Sequence, residues 1–91
     1  MSKVYQVVIY TTILDETKLA NYAALAGPAM EAAGAKFLAR GIPVAVKESG
    51  QKTRTVVIEW DSLDPAEKAY ASEGYQDARA ALDNGAIREF R

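Results

Sequence analysis

Apolar residues form continuous runs at the centres of two strand-like segments of the chain. The triplets Val7-Val8-Ile9 and Val56-Val57-Ile58 lie in segments rich in β-branched and aromatic residues. A strand with one face in water alternates apolar and polar side chains, and these two centres do not alternate. We therefore expect both strands to be covered on both faces. The chain offers only about two helices, enough for one face of a small sheet, so a second copy of the chain is expected to cover the other face.

The remaining strand signals complete a small sheet. The first strand is predicted over residues 3–12, and a short strand over residues 36–40 continues after a bend as residues 44–48. A polar turn at residues 49–52 connects it to the next strand, residues 53–61, which predicts a hairpin. A final short strand is predicted over residues 86–90.

The first helix is predicted from its cap and its apolar stripe. Asp15 is a capping residue, and Gly34 follows the helix end in a left-handed conformation. Gly27-Pro28 interrupts the pattern, so a kink or a break is expected there. The stripe has the spacing of three and four that is typical of an amphipathic helix, and it consists of Leu19, Tyr22, Ala23, Ala26, Met30 and Ala33.

A second helical region follows the hairpin. Asp64 is predicted as its cap, with Pro65 at the first helical position. Ser72-Glu73-Gly74 weakens the region, and Ser72 is predicted to cap its second half. The apolar stripe of the second half consists of Tyr75, Ala78 and Leu82, and the helix is predicted to end near Asn84-Gly85.

The predicted order is strand, helix, strand, strand, helix, strand. This order is typical of the ferredoxin-like βαββαβ arrangement, an α+β fold with an antiparallel sheet and both helices on one side. We expect residues 1–91 to form a single domain of this class.

Composition excludes several kinds of function. The chain has no cysteine, which excludes disulfides and thiol catalysis, and no histidine, which removes the commonest general base and metal ligand. A net charge of −1 gives no basic face for nucleic acid. The first residues lack the long apolar run of a signal peptide or a membrane span, so we expect a cytoplasmic protein without a membrane partner.

Arg40 and Glu59 are the candidate catalytic residues. Arg40 ends a strand just before Gly41, where its guanidinium could hold a carboxylate or enolate oxygen in a cleft. Glu59 lies in an apolar strand, and burial would raise its pKa and make it a candidate base. The alternatives are structural ion pairs, of Arg40 with Glu48 or Glu59, or of Glu59 with an arginine.

Aromatic side chains are the candidate ligand-binding residues beside Arg40. Tyr22 and Tyr75 lie on the apolar stripes of the helices, where their hydroxyls could line a pocket. Trp60 follows Glu59 and could form an aromatic wall. The alternative for the tyrosines is a core position with the polar tip at the surface, and the alternative for Trp60 is packing in the core or in a dimer interface. No metal site is predicted, since the carboxylates of Asp61, Asp64 and Glu67 lack a calcium-loop spacing.

An ordered set of residues resembles one family. The matching elements are Tyr5, Tyr22, residues 34–41, 46–48, 54–60 and 69–76, and Arg79. The set resembles the domain-of-unknown-function family numbered thirteen-thirty, within the dimeric α+β barrel superfamily. The resemblance implies a ferredoxin-like monomer and a homodimer with a shared barrel.

The resemblance implies little about activity, because the family has no assigned reaction. The wider superfamily includes cofactor-independent monooxygenases, haem proteins, haem-degrading enzymes and muconolactone isomerases, and a shared fold does not carry function. Haem-binding relatives generally use a histidine ligand, which this chain lacks, so no cofactor is expected.

Two function hypotheses remain open at this point. In the first, the protein binds a small carbonyl or carboxylate compound in a cleft between sheet and helices, and could act as a cofactor-independent oxygenase or isomerase. In the second, it is a non-catalytic dimeric assembly module without a dedicated ligand.

Overall fold

The four strands within residues 3–91 form one antiparallel sheet. The computed structural model describes residues 3–91, and its strands are β1 (Val4–Ile13), β2 (Lys36–Gly41), β3 (Thr55–Trp60) and β4 (Ala86–Phe90). Their order across the sheet is β2-β3-β1-β4, and every neighbouring pair is antiparallel. The predicted α+β, ferredoxin-like arrangement is confirmed.

Three helices lie over one face of this sheet. They are α1 (Glu16–Ala32), α2 (Leu63–Ala71) and α3 (Glu73–Leu82). The predicted cap at Asp15 is confirmed, since its carboxylate accepts a hydrogen bond from the backbone N–H of Lys18 at 3.0 Å. The hydroxyl of Ser72 accepts from the Tyr75 N–H at 3.2 Å and donates to the Ala69 carbonyl at 2.7 Å. Ser72 therefore ends α2 and begins α3, as its predicted capping role requires.

Two details of the predicted helices are corrected. Helix α1 runs unbroken through Gly27-Pro28, because Ala26 and Met30 are buried on either side of the proline and hold both halves of the helix on the sheet. Helix α2 begins one residue before Asp64, with Ser62 as its cap. Pro65 is thus the third helical residue, which is tolerated because the first amides of a helix have no partner within the helix.

The strand predicted over residues 44–48 does not form. Strand β2 ends at Gly41, which pairs with Thr55 as the last residue pair of the β2–β3 ladder. Residues 42–54 are instead a long connection, in which Pro43 lacks a donor and Glu48 has a φ of 51°. The hairpin is confirmed, with a much longer loop than the sequence predicts.

The two apolar triplets divide between the two faces of the sheet. Val8, Val56 and Ile58 are buried beneath the helices. Val7, Ile9 and Val57 alternate with them, so they lie on the opposite face, where they are partly buried. The smallest dimension of the molecule is 15 Å, as expected for one helix layer on one sheet.

None of the helices within residues 3–91 is both long enough and apolar enough to cross a membrane.

Substituting Val8 by aspartate tests the assignment of the faces. Val8 is only 4% exposed beneath the helices, so a carboxylate there would be buried without a partner. We expect Val8→Asp to lower the free energy of unfolding by about 3 kcal/mol or more. Urea unfolding followed by circular dichroism measures the change, with the exposed Thr12→Asp as the control on the same strand. Equal stability of the two variants would contradict the assignment.

Candidate functional site

A cleft opens between the sheet and α1. Its enclosed part has a volume of about 60 Å³, and the empty space reaches about 520 Å³ only when the region open to solvent at its mouth is included. Most of its lining is apolar and comes from β1, β3 and α1. The polar side chains that line it are Gln6, Tyr10, Tyr22, Arg40, Arg54 and Tyr75.

Strand register determines which side chains reach the cleft. Gln6 and Tyr10 lie two residues either side of the buried Val8, so all three share the face toward the helices. Arg40 pairs with the buried Val56 in the β2–β3 ladder, which brings its side chain to the same face. Side chains that β1, β2 and β3 direct to this face thus form one wall of the cleft.

A hydrogen bond between two tyrosine hydroxyls joins α1 to α3 at the cleft. The Oη atoms of Tyr22 and Tyr75 lie 2.8 Å apart, and the two rings meet edge to face with centroids 6.0 Å apart. Arg88 of β4 donates from Nη1 to the Tyr22 hydroxyl at 2.8 Å. The two tyrosines are buried among core side chains, since Tyr22 is 8% and Tyr75 is 1% exposed, whereas Arg88 is partly exposed.

The guanidinium of Arg88 is held by aromatic rings. Its carbon lies 4.6 Å from the Tyr22 centroid and 4.7 Å from the Phe90 centroid. Burial raises the pKa of Tyr22 well above its ordinary value, the neighbouring Tyr75 adds to this rise, and Arg88 only partly offsets it. Tyr22 therefore keeps its proton at any physiological pH and serves as a hydrogen-bonding group, not as a phenolate base.

Two other arginines, Arg40 and Arg54, line the cleft itself. The guanidinium carbon of Arg40 is 4.3 Å from the Phe37 ring centroid, and that of Arg54 is 5.8 Å from the centroid of Tyr10. Within residues 3–91, Arg40, Arg54 and Arg88 have no carboxylate close enough for an ion pair. The predicted ion pairs of Arg40 with Glu48 or Glu59 are therefore wrong.

Trp60 does not line the cleft but donates a hydrogen bond to Gln6, which does. Its ring is 1% exposed, and its indole N–H donates to the Gln6 side-chain oxygen at 3.0 Å. An indole N–H can only donate, so this bond fixes the amide of Gln6 with its NH₂ group away from Trp60. Gln6 also lines the cleft, although Trp60 does not.

Glu59 lies on the other face of the sheet. It alternates with Ile58 and Trp60, both buried beneath the helices, and its carboxylate lies 3.8 Å from the ammonium of Lys3. Its register partners are Tyr5 and Lys36, which share that face. Glu59 is therefore separated from the cleft by the sheet itself.

The structure brings three of the five candidate residues together. Tyr22, Arg40 and Tyr75 line one cleft, Trp60 contacts it through Gln6, and Glu59 does not reach it. Sequence reasoning missed Arg54 and Arg88. The alternation of β4, in which Ala86 and Arg88 face the helices, was the signal available for Arg88.

Two of the three acidic residues considered for a cation pair with lysines. Asp61 contacts the ammonium of Lys3 at 2.7 Å, and Asp64 contacts that of Lys68 at 2.9 Å. Over the described part of the chain, no three acidic side chains converge on a common point.

The chain belongs to the family of the domain of unknown function DUF1330, whose model matches residues 3–91. The resemblance seen in the sequence is thereby confirmed. A search of curated proteins gives no match.

Solved structures share the fold at low sequence identity. A protein of unknown function from Rhodopseudomonas palustris has a TM-score of 0.73 at 14% identity, over 98% of this chain and 77% of that one. SnoaB, a cofactor-independent oxygenase from Streptomyces nogalater, has a TM-score of 0.68 at 17% identity, over 100% and 90%. A dimeric protein of unknown function with a ferredoxin-like fold from Bacteroides fragilis has a TM-score of 0.56 at 14% identity, over 98% and 92%. At these identities the likeness shows the fold alone.

The raised pKa of Tyr22 predicts how stability changes at alkaline pH. Tyrosine ionises near pH 10 in the unfolded chain, and Tyr22 ionises at a higher pH in the folded protein. The protonated hydroxyl of Tyr22 therefore contributes its full stabilisation below pH 10. This contribution is lost as the pH rises through the pKa of Tyr22 in the folded protein. We expect the urea midpoint to fall between pH 9 and pH 11 and to fall less in Tyr22→Phe. Tyr5→Phe, at a 55% exposed position, is the control. An identical fall in wild type and Tyr22→Phe would contradict the prediction.

Proposed function

We propose that the protein binds a small organic molecule, an anion or a carbonyl compound, in the cleft between sheet and helices. The observation that carries the proposal is the pair of guanidinium groups, Arg40 and Arg54, at an apolar cleft. Neither has a carboxylate partner among the described residues. An anionic ligand would supply the missing charge.

The surroundings of these arginines favour an organic anion over an inorganic one. Aromatic and aliphatic side chains, among them Phe37, Met30 and Val8, make up most of the lining. Such walls stabilise an apolar ligand body by removing it from water, while charge-assisted hydrogen bonds orient its oxygen atoms. A ligand with a flat or aliphatic ring and a carboxylate or carbonyl group meets both requirements.

Arg40 is well placed to orient the anion. A side chain at Gly27 of α1 would put its Cβ 3.9 Å from Arg40 Nη1, so the guanidinium lies against the helix where the helix has no side chain. Arg40 is exposed on its other side. It can therefore contact solvent and a ligand at the mouth of the cleft at the same time.

An enzymatic version of this proposal uses the same groups. The cofactor-independent oxygenase SnoaB shares the fold, which supports this version by analogy of fold alone. The guanidinium and hydroxyl donors would stabilise an enolate oxygen during proton removal beside a carbonyl. Glu59 is separated from the cleft by the sheet, so in this version the substrate or a solvent molecule provides the base.

We also propose that the protein forms a homodimer through the sheet face opposite the helices. Val7, Ile9 and Val57 lie on that face, together with Tyr5 and Ile87, which are each 55% exposed. Covering this apolar surface with the same surface of a second copy would remove it from water. The dimeric ferredoxin-like protein from Bacteroides fragilis supports the proposal by analogy of fold.

The long connection between β2 and β3 supports the same assembly. Ile42, Val44 and Val46 alternate along it and are 57%, 94% and 37% exposed. Alternating apolar residues are typical of a strand with one covered face, yet the described residues provide no cover for them. A second copy of the chain would provide it.

Removing Arg40 tests the ligand proposal. Small carboxylates, lactones, phenols and quinones are screened by thermal shift, and we expect at least one to raise the melting temperature of the wild type. Because a charge-assisted hydrogen bond contributes about 1.5 to 3 kcal/mol, Arg40→Ala should weaken that ligand by about tenfold or more.

Arg79→Ala is the matched control, since Arg79 stacks on Tyr70 outside the cleft. Undiminished stabilisation of Arg40→Ala by the ligand would remove Arg40 from the site. Stabilisation by no compound, in a folded dimer, would favour the alternative of an assembly module without a ligand.

Substituting Val57 by aspartate tests the dimer. Val57 lies at the centre of the proposed interface, and a carboxylate there would be desolvated only in the dimer. We expect light scattering to give a dimer for wild type at micromolar concentration and a folded monomer for Val57→Asp. The exposed Ala20→Asp on α1 is the control. A monomeric wild type at that concentration would exclude the proposed interface.

A further inference from the structure

One hydroxyl hydrogen of the Tyr22–Tyr75 pair has no acceptor among the described residues. Tyr22 and Tyr75 carry two hydroxyl hydrogens, and only one of them can lie between the two oxygens. Arg88 supplies its own hydrogen to Tyr22, so it uses neither of the two. No other side chain or carbonyl within residues 3–91 accepts from either hydroxyl. One hydroxyl hydrogen therefore remains to be donated, and both tyrosines line the cleft.

Arg88 sets the direction in which this hydrogen points. A hydroxyl that accepts from a cation becomes a stronger donor itself, so the favoured order is Arg88 to Tyr22 and Tyr22 to Tyr75. Tyr75 then carries the unused hydrogen. Arg88 has no carboxylate partner in the described chain. Its charge polarises the Tyr22 hydroxyl and, through it, strengthens the Tyr75 hydroxyl as a donor.

Gln6 adds a second donor from the opposite wall. Its side-chain oxygen is occupied by the Trp60 indole, and its NH₂ group has no acceptor among the described residues. Together with Arg40 and Arg54, the polar groups of the cleft are thus mainly donors. The complementary ligand is one that offers acceptor oxygens and needs few acceptors in return.

We infer that the ligand of this cleft carries, besides the anionic group at Arg40, a carbonyl-type acceptor oxygen that receives the free hydroxyl hydrogen of the Tyr22–Tyr75 pair. This inference rests on the proposed function and specifies its ligand class. The class is a small keto acid or related ring compound with two separated oxygen functions.

The two donors lie beside different positions of α1. Arg40 lies beside Gly27, and Tyr22 lies five residues earlier on the same helix. At 1.5 Å per residue, the two positions are about 7.5 Å apart along the axis. A ligand that reaches both donors therefore carries its two oxygen functions on separate parts of its skeleton, as at opposite ends of a six-membered ring.

Two isosteric probes test the inference by titration calorimetry. In 4-acetylbenzoate a carboxylate and a carbonyl lie at opposite ends of a ring, and in 4-isopropylbenzoate a methyl group replaces the carbonyl oxygen. We expect the wild type to bind the acetyl compound about tenfold more tightly, the value of one satisfied donor. The preference should disappear in the double variant Tyr22→Phe/Tyr75→Phe, which keeps both rings. Tyr5→Phe is the control.

The outcomes separate this inference from the proposed function. Arg40→Ala should weaken both probes alike and leave their ratio unchanged. Equal binding of the two probes by wild type, or an unchanged ratio in the double variant, would overturn the inference while the cleft remains a binding site. Binding of neither probe by a folded wild type would overturn the inference together with the ring-carboxylate ligand on which it depends.

Discussion

The hydrogen bond between Tyr22 and Tyr75 determines much of the organisation of this protein. It joins α1 to α3 at a distance of 2.8 Å between the hydroxyls, within a core that is otherwise apolar. Buried hydroxyls are costly without partners, so the two tyrosines hold their helices at a fixed separation. Arg88 extends the bond to β4 and thereby connects the helix layer to the edge of the sheet. The cleft lies where these elements meet.

This arrangement places a partly buried charged group, Arg88, beside the core. Arg88 has no carboxylate partner within residues 3–91 and is stabilised instead by aromatic faces and by the Tyr22 oxygen. Arg40 and Arg54 have similar surroundings, with Phe37 and Tyr10 as their aromatic partners. Positive charge held against aromatic rings beside a cleft is a physical basis for recognising an organic anion.

The sheet has a different role on each of its faces. The side toward the helices carries the cleft, and the other side carries apolar residues around Val57 together with Glu59. The proposed ligand site and the proposed dimer interface thus lie on opposite faces of the same strands. Because neighbouring residues of a strand point to opposite faces, Ile58 belongs to the core while Glu59 belongs to the other surface. A shift of register by one residue would exchange these roles.

The sequence by itself determined the sheet, the order of its elements and the caps at Asp15 and Ser72, because apolar periodicity and capping chemistry are local properties. Tyr22, Arg40 and Tyr75 were proposed from the sequence because a polar tip interrupts an apolar stripe or ends a strand there, and they line the cleft. Only the tertiary structure decided that Pro28 lies within an unbroken helix, that residues 42–54 form no strand, and that Glu59 faces away from the cleft. It also revealed Arg54 and Arg88 as partners of the tyrosines. These outcomes depend on strand register and on contacts between residues far apart in the chain, and a local pattern carries no information about either.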